Sequence, residues 1–500
     1  MEFQDLPSEV QLLIFDHMTV RTRLLASTVC RHWYQLALTP AFLQNKIQLS
    51  IEVRHTRCLL QAIELLSHTA RCYRKLRLVY QGNSIQKLST ARQLLECLPT
   101  VKELETVFFF YCFREKLNIA LKDLLDSCKG LEMLSIVIRG RLMSWTEQSS
   151  NSNSEIIDLE DAQQFPCLET LSIRRNPDIL HPRFYELAQS FTAPTFYVPP
   201  ESNSIPNLKH LIMNCETDEQ LQLFSELAAQ LQTVVVVSFD PQNCQVALFL
   251  ELKFPEVKHL SLPLLRVSFS EEISLFLGRL RTLQTLEMEH VLIDMIVLHT
   301  IFDSCTQLDY LSLHMQNLGI GCLKGITNLQ KLKSLKLVGK SLGGWEKLED
   351  YFFGSNGQLI QLKSLSFRLF SLTSTDFILT ISKTMPNLLE LCVEDCRAKV
   401  NVIGPLGSLL PNLTSVELCQ ITHGGVRPMF SSALTRIKLL NCSWVTADFL
   451  YKLINQCPHL SRLTLSGAGV SRDTLHNVIS KLPASCYVEL TFASGKKLCR

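Results

Sequence analysis

From about residue 73 one hydrophobic phrase recurs along the chain: an aliphatic residue, two variable positions, an aliphatic, one variable position, an aliphatic. Clear copies are Leu131-Leu134-Ile136, Leu168-Leu171-Ile173, Leu208-Leu211-Met213, Val257-Leu260-Leu262, Leu283-Leu286-Met288 and Leu308-Leu311-Leu313. They continue at Leu332-Leu335-Leu337, Leu362-Leu365-Phe367, Leu388-Leu391-Val393, Leu413-Val416-Leu418, Leu434-Ile437-Leu439 and Leu460-Leu463-Leu465. The last two aliphatics, two positions apart, put their side chains on one face of a short strand, and the residue between them faces the other way. Each repeat is thus predicted to have a buried side and a displayed side.

Between these strands the period lengthens to that of a helix. Ile273, Phe276, Leu277 and Leu280 form one stripe after Ser270-Glu271-Glu272, read as a cap and an acidic first turn, and Leu475, Val478, Ile479 and Leu482 form another after Ser471. Proline stands just ahead of the phrase at Pro166, Pro206, Pro386, Pro411 and Pro458, where it ends a helix and leads into a strand. Strand then helix predicts an α/β fold: a right-handed solenoid of horseshoe form, with a parallel inner sheet and outer helices. The rhythm breaks near 141–164 and 175–204, where Ser/Asn-rich, acidic and Pro-rich stretches predict loop insertions.

The first forty residues do not follow this repeat. Val10, Ile14 and Phe15, then Leu24 and Leu25, then Val29, Cys30, Trp33 and Leu36 predict three short amphipathic helices. So small a segment buries little surface alone, so it is expected to pack on another chain or on the adjoining solenoid. The predicted organisation is a helical module at 1–45, a solenoid at 46–493 and a short tail at 494–500.

Composition narrows the functional classes. The chain has 500 residues, 46% hydrophobic and 19% charged, so it has ample material for a core. Lys plus Arg is 49 against 47 for Asp plus Glu, and no long like-charged block occurs, so nucleic acid is not the expected partner. No basic leader precedes an apolar run and no apolar stretch approaches ~18 residues, which predicts neither secretion nor a membrane span and places the protein in the cytoplasm, the nucleus or both. The 18 cysteines are then expected to be reduced and mostly buried. Cys392 and Cys396 lack a second pair at finger-like spacing, so no metal is expected. Neither a Gly-rich phosphate loop nor a His-Glu-x-x-His motif occurs, no cofactor is expected, and the chain reads as non-catalytic.

The period, averaging about 25 residues from Val257 onward, resembles that of leucine-rich repeats. Phrases such as Cys457-Pro458-His459-Leu460, and cysteines after the strand at Cys396 and Cys442, resemble the cysteine-containing class. At the amino end, Leu6-Pro7 with Glu9-Val10, the Leu24-Leu25 pair, Val29-Cys30-Arg31 with Trp33, and Pro40 with Phe42 resemble an F-box. The turn between Met18 and Leu24 departs from the family's usual Asp-Pro type, and Phe42 stands where Trp is frequent.

An F-box joined to leucine-rich repeats resembles the substrate receptors of Skp, cullin, F-box (SCF) ubiquitin ligases. That resemblance implies that a Skp-type adaptor, and through it a cullin and a RING subunit, binds the F-box, while the repeats hold an as yet unidentified protein substrate. It implies an adaptor-binding set of Leu6, Pro7, Val10, Ile14, Leu24, Leu25, Val29 and Trp33. Substrate is expected on the displayed side of the strands, at Arg368, Glu390, Glu394, Glu417, Arg436, Lys438 and Arg462. There Glu390, Glu394 and Glu417 read as an acidic cluster followed by a basic cluster of Arg436, Lys438 and Arg462, to which a partner of complementary charge would bind. The other reading is a scaffold or regulatory repeat protein acting without ubiquitination.

Overall fold

The computed structural model describes residues 6–18, 20–67, 72–81, 86–109, 112–113, 130–139, 142–143, 167–175, 205–215, 218–239, 245–262, 269–289, 291–315, 318–319, 321–339, 358–372, 376–394, 396–398, 406–421, 430–442, 444–467, 477, 480–482, 486–491 and 497–499. The predicted insertions near 141–164 and 175–204 fall almost wholly outside the described residues. So do Ser471, Leu475, Val478 and Ile479 of the second helical stripe.

The chain divides into two compact units, Met1–Phe249 and Leu250–Arg500. The first opens with four short helices: α1 (Ser8–His17), α2 (Val20–Ala26), α3 (Arg31–Ala37) and α4 (Pro40–Lys46). Three were predicted. The fourth begins at Pro40, whose fixed φ suits a first helical position, and Thr39 caps it by accepting from the Phe42 amide at 3.4 Å. Phe15, Ala26 and Ala37 form the buried centre of this module, with Met18, Trp33 and Leu36 packed against it.

A parallel ladder follows in the same unit: β1 (Gln48–Val53), β2 (Lys75–Gln81), β3 (Glu103–Phe109), β4 (Met133–Arg139), β5 (Thr170–Arg175), β6 (His210–Cys215) and β7 (Thr233–Phe239). Each pairs with the next, Gln48 opposite Lys75, Lys75 opposite Glu103 and so on, with one register shift between Met213 and Cys215 where β6 meets β7. β1 lies ahead of the first phrase recognisable in the sequence.

In the second unit the parallel ladder comprises β8 (His259–Ser261), β9 (Thr285–Met288), β10 (Tyr310–His314), β11 (Ser334–Val338), β12 (Ser364–Arg368), β13 (Glu390–Glu394), β14 (Ser415–Cys419), β15 (Arg436–Leu440), β16 (Arg462–Ser466) and β17 (Tyr487–Thr491). The final strand, β18 (Lys497–Cys499), turns back and pairs antiparallel with β17. The aliphatics of the phrase stack behind the ladder: Leu286, Leu311, Leu335, Leu365, Leu391, Val416, Ile437 and Leu463 are all buried and stand opposite one another across neighbouring strands.

The residues before many of the strands make the same turn. The amides of Leu388, Leu413 and Leu460 donate three residues back to the carbonyls of Met385, Leu410 and Cys457 at 3.2–3.3 Å. Proline at 386, 411 and 458 sits second in that turn, where its φ is already set. Asn387 and Ser431 then reach back one repeat, donating to the carbonyls of Ile360 (3.1 Å) and Pro411 (2.8 Å). The helical stripe Ile273, Phe276, Leu277 and Leu280 is buried as expected, but Ser270 begins the helix rather than capping it: Phe269 occupies the cap position and makes no side-chain bond there.

Just past the strands the backbone enters the left-handed region at Leu369, Gln420, Asn441 and Gly467. For a residue with a Cβ this costs about 1–2 kcal/mol, against about 0.5–1 kcal/mol for the freedom that glycine loses on folding. Gln420→Gly at this exposed position is therefore expected to raise stability by several tenths to 1 kcal/mol in urea unfolding. Gly339, at the matching place after β11, meets a harder limit: a Cβ there would lie 2.5 Å from the Leu369 carbonyl oxygen. Gly339→Ala forces the next repeat's backbone to move, and a loss of about 2 kcal/mol is expected in the same measurement.

The post-strand cysteines hold repeats together. Cys442 Sγ donates to the carbonyls of Leu418 and Leu440, each at 3.4 Å, and Cys396 donates to those of Phe367 (3.8 Å) and Glu394 (3.3 Å). Cysteines are buried at 215, 305, 322, 396, 419, 442, 457 and 486 and exposed at 30 and 167. Burial pushes the Cys305 thiol up to about 12.

Candidate functional site

The amino-terminal module shows water an unusual amount of apolar side chain. On α1, Val10, Leu13 and Ile14 recur at helical spacing on one side, while Gln11 and Phe15 turn to the interior on the other. On α2, Arg23 and Ala26 are buried, leaving Leu24 and Leu25 outward, and Val29 follows in the turn before α3. Leu13, Leu25 and Val29 are 60%, 62% and 64% exposed.

None of the eight residues expected to meet an adaptor is buried. Pro7, Val10, Leu24, Leu25 and Val29 are exposed; Leu6, Ile14 and Trp33 are half-buried. Trp33 differs from the rest, because its ring packs edge-on against Phe15 with centroids 5.9 Å apart and so also belongs to the module's own interior. Leu13, which the expected set lacked, stands at i+3 from Val10 and was findable from that spacing.

The Leu6-Pro7 pair has a local role as well. The Pro7 carbonyl accepts from the amides of Val10 and Gln11, each at 3.0 Å, and so starts α1. Gln11 Nε2 donates to the Leu6 carbonyl at 2.7 Å, while its Oε1 lies 3.0 Å from His32 Nε2 on α3. The chain entering the first helix is thereby tied to the third.

Arg23 is the module's internal brace. Its side chain is 2% exposed; Nε donates to the Ala37 carbonyl at 2.7 Å, and Nη2 reaches the Leu36 carbonyl and Thr39 Oγ1. Its Nη1 pairs with Asp16, and the guanidinium lies 4.0 Å from the centroid of the Phe42 ring. Phe42, where the family often has Trp, is itself buried beneath that cation. No periodicity marks Arg23: a basic residue beside Leu24-Leu25 reads as solvated until α3 and α4 fold over it.

The second candidate surface is the displayed side of β12 to β17. Register places Ser364, Glu390, Ser415, Arg436, Arg462 and Tyr487 in one row, with Ser366, Cys392, Glu417, Lys438, Thr464 and Glu489 in the next. Arg368 stands opposite Glu394 in a third row. All seven expected substrate residues are at least partly exposed.

The acidic and basic residues read from the sequence as two clusters are paired with one another across the strands. Glu390 pairs with Arg436 at 2.9 Å across two strand steps, Glu417 pairs with Lys438 on the adjacent strand, and Arg462 lies 4.0 Å from Glu489. Linear order separates the signs, but a ladder spacing of ~4.8 Å brings residues 21 to 46 apart into contact. The hydrogen bond and charge of Glu417 raise the Lys438 pKa, so that cation is largely committed. Burial pushes the neighbouring Cys392 thiol up to about 11. Among the described residues no group of three His, Cys, Asp or Glu side chains could hold a metal ion, and no helix is long and apolar enough to cross a membrane.

Residues 3–48 match the family described as F-box-like. Solved structures similar to this chain include an internalin of Listeria monocytogenes (17% identity; 55% of this chain and 79% of that one; TM-score 0.35) and a Leptospira interrogans leucine-rich-repeat protein (17%; 87% and 99%; 0.34). Another is the yeast Rad7 and Elc1 complex (14% identity; 98% and 93%; TM-score 0.36). No curated protein sequence matches significantly. The chain carries an F-box-like domain at its amino end, followed by parallel strands paired in register whose Leu-x-x-Leu-x-Leu phrase is consistent with leucine-rich repeats.

Proposed function

We propose that this protein is the substrate-recognition subunit of an SCF-type ubiquitin ligase. The observation that carries the reading is the outward exposure of Val10, Leu13, Leu24, Leu25 and Val29 on an F-box-like domain whose own interior is already filled by Phe15, Ala26 and Ala37. Exposed apolar side chains on so small a module favour burial against a partner. A Skp-type adaptor is the partner that an F-box-like domain suggests; a cullin and a RING subunit would join through it.

F-box and leucine-rich-repeat modules are generally interaction modules rather than catalysts. In this reading the protein does no chemistry of its own. It raises the effective concentration of a client's lysine beside a charged ubiquitin-conjugating enzyme, which shortens a search rather than lowering an intrinsic barrier. The client lies on the displayed side of the repeats.

Affinity purification of the full chain tests this directly. Recovery of a Skp-type adaptor together with a cullin and a RING subunit, and ubiquitin transfer to a co-purified client, is the expected result. Absence of the adaptor overturns it; adaptor without cullin, RING or transfer moves the protein to the scaffold reading.

A further inference from the structure

The chain enters α1 without the usual polar restraint. Pro7 holds the cap position and makes no side-chain bond to the first turn, and Val10, three residues on, has no polar group with which to reach back. In such a start the angle of the incoming chain is commonly fixed by an apolar contact between the residue before the cap and the fourth helical residue. Those two positions are Leu6 and Gln11. A staple is present, but it is polar: Gln11 Nε2 donates to the Leu6 carbonyl at 2.7 Å.

The orientation of the Gln11 amide follows from that bond. A carbonyl oxygen only accepts, so the NH2 end faces Leu6, which turns Oε1 toward His32 Nε2 at 3.0 Å. Oε1 also only accepts, so His32 presents its Nε2 proton. The link thus runs from Leu6 through Gln11 to α3, one residue short of Trp33. Gln11 is 2% exposed, and an amide in so dry a place costs free energy unless both ends are bonded. Both are. Gln11 therefore lies beneath the docking surface and is no part of it, whereas Leu6, Pro7 and Trp33, which it ties together, belong to the expected adaptor-binding set.

We infer that Gln11, braced by His32, is a positioning residue: it holds Leu6 and Pro7 in the conformation in which a Skp-type adaptor takes them. The inference rests on the docking reading above. An entry segment freed of this tether samples other conformations, and affinity falls by the fraction of chains that stay in the competent one. Because the staple does not touch the partner, the loss falls on association. Once docked, the same contacts hold the complex, and dissociation is unchanged.

The test uses the full chain, a purified Skp-type adaptor on a sensor surface, and hydrogen exchange of the free chain read on peptides spanning residues 6–13. Gln11→Ala is expected to slow association about tenfold, with dissociation unchanged and the unfolding midpoint kept. Exchange at the amides of positions 10 and 11, which donate to the Pro7 carbonyl, is expected to quicken. His32→Ala, at an exposed position, is expected to slow association about threefold, because the staple then lacks its brace. Where Gln11→Ala lowers the midpoint, His32→Ala is the deciding variant. Faster dissociation would place these residues in the contact itself and overturn the inference, as would unchanged association in both variants or unchanged exchange at positions 10 and 11. If the unsubstituted protein does not bind the adaptor, the docking reading fails and this inference with it; if it binds and the variants bind alike, this inference alone fails.

Discussion

Leu25→Asp combined with Val29→Asp is expected to abolish adaptor recovery while leaving the unfolding midpoint nearly unchanged. Both side chains are more than three-fifths exposed in the free protein, so carboxylates there stay hydrated and the fold loses little. In a docked complex the same carboxylates are stripped of water against an apolar partner surface. A loss of about 2 kcal/mol at each position lowers affinity by more than a hundredfold. Titration of the purified adaptor, alongside circular dichroism, measures both sides of the claim, and retained affinity would remove Leu25 and Val29 from the interface. Trp33→Ala with Leu6→Ala also tests the interface but reads less cleanly. The indole packs on Phe15, so its removal opens the module's interior as well as its surface.

The second large effect is expected at Arg23. Arg23→Ala deletes donors to the Ala37 and Leu36 carbonyls and to Thr39, uncovers the Phe42 ring and leaves Asp16 without its cation. Losing a buried, multiply bonded charge of this kind costs about 3 kcal/mol or more. A module of four short helices has little reserve against that. Hydrogen exchange is expected to show lost amide protection across residues 8–46, with the β2 and β3 amides still protected. Unchanged protection in the helices would show that Arg23 is dispensable. Arg23→Met separates the contributions: it restores much of the side-chain volume over Phe42 but not the hydrogen bonds, so it should recover only part of the loss.

The repeats, and the helical spacing that sets Val10 and Ile14 on one side of α1, were legible in the sequence because both obey short-range rules. The Leu-x-x-Leu-x-Leu phrase needs only strand alternation, and Val10 with Ile14 needs only helical spacing. What sequence hid depends on contacts between distant residues. Arg23 acquires its role only when α3 and α4 close over it, and Phe42 becomes interior for the same reason. The charge pattern failed in a different way. Glu390 and Arg436 are 46 positions apart and seemed to belong to opposite clusters, yet the ladder makes them partners. β1 was overlooked because the short strand precedes the first full phrase, although Gln48 to Val53 match Lys75 to Tyr80 residue for residue.

The backward turn of β18 onto β17 has a consequence for how the molecule behaves in a crowded solution. A parallel stack ends, in principle, in a bare row of amides and carbonyls that any other extended chain could continue. By lying along Thr491, Leu490 and Glu489 in the opposite direction, Lys497, Leu498 and Cys499 occupy that row with a strand too short and too differently oriented to propagate the stack. A frameshift or premature stop after residue 491 would therefore do more than shorten the protein: it would uncork an adhesive rim and turn a self-limited array into a seed for polymers.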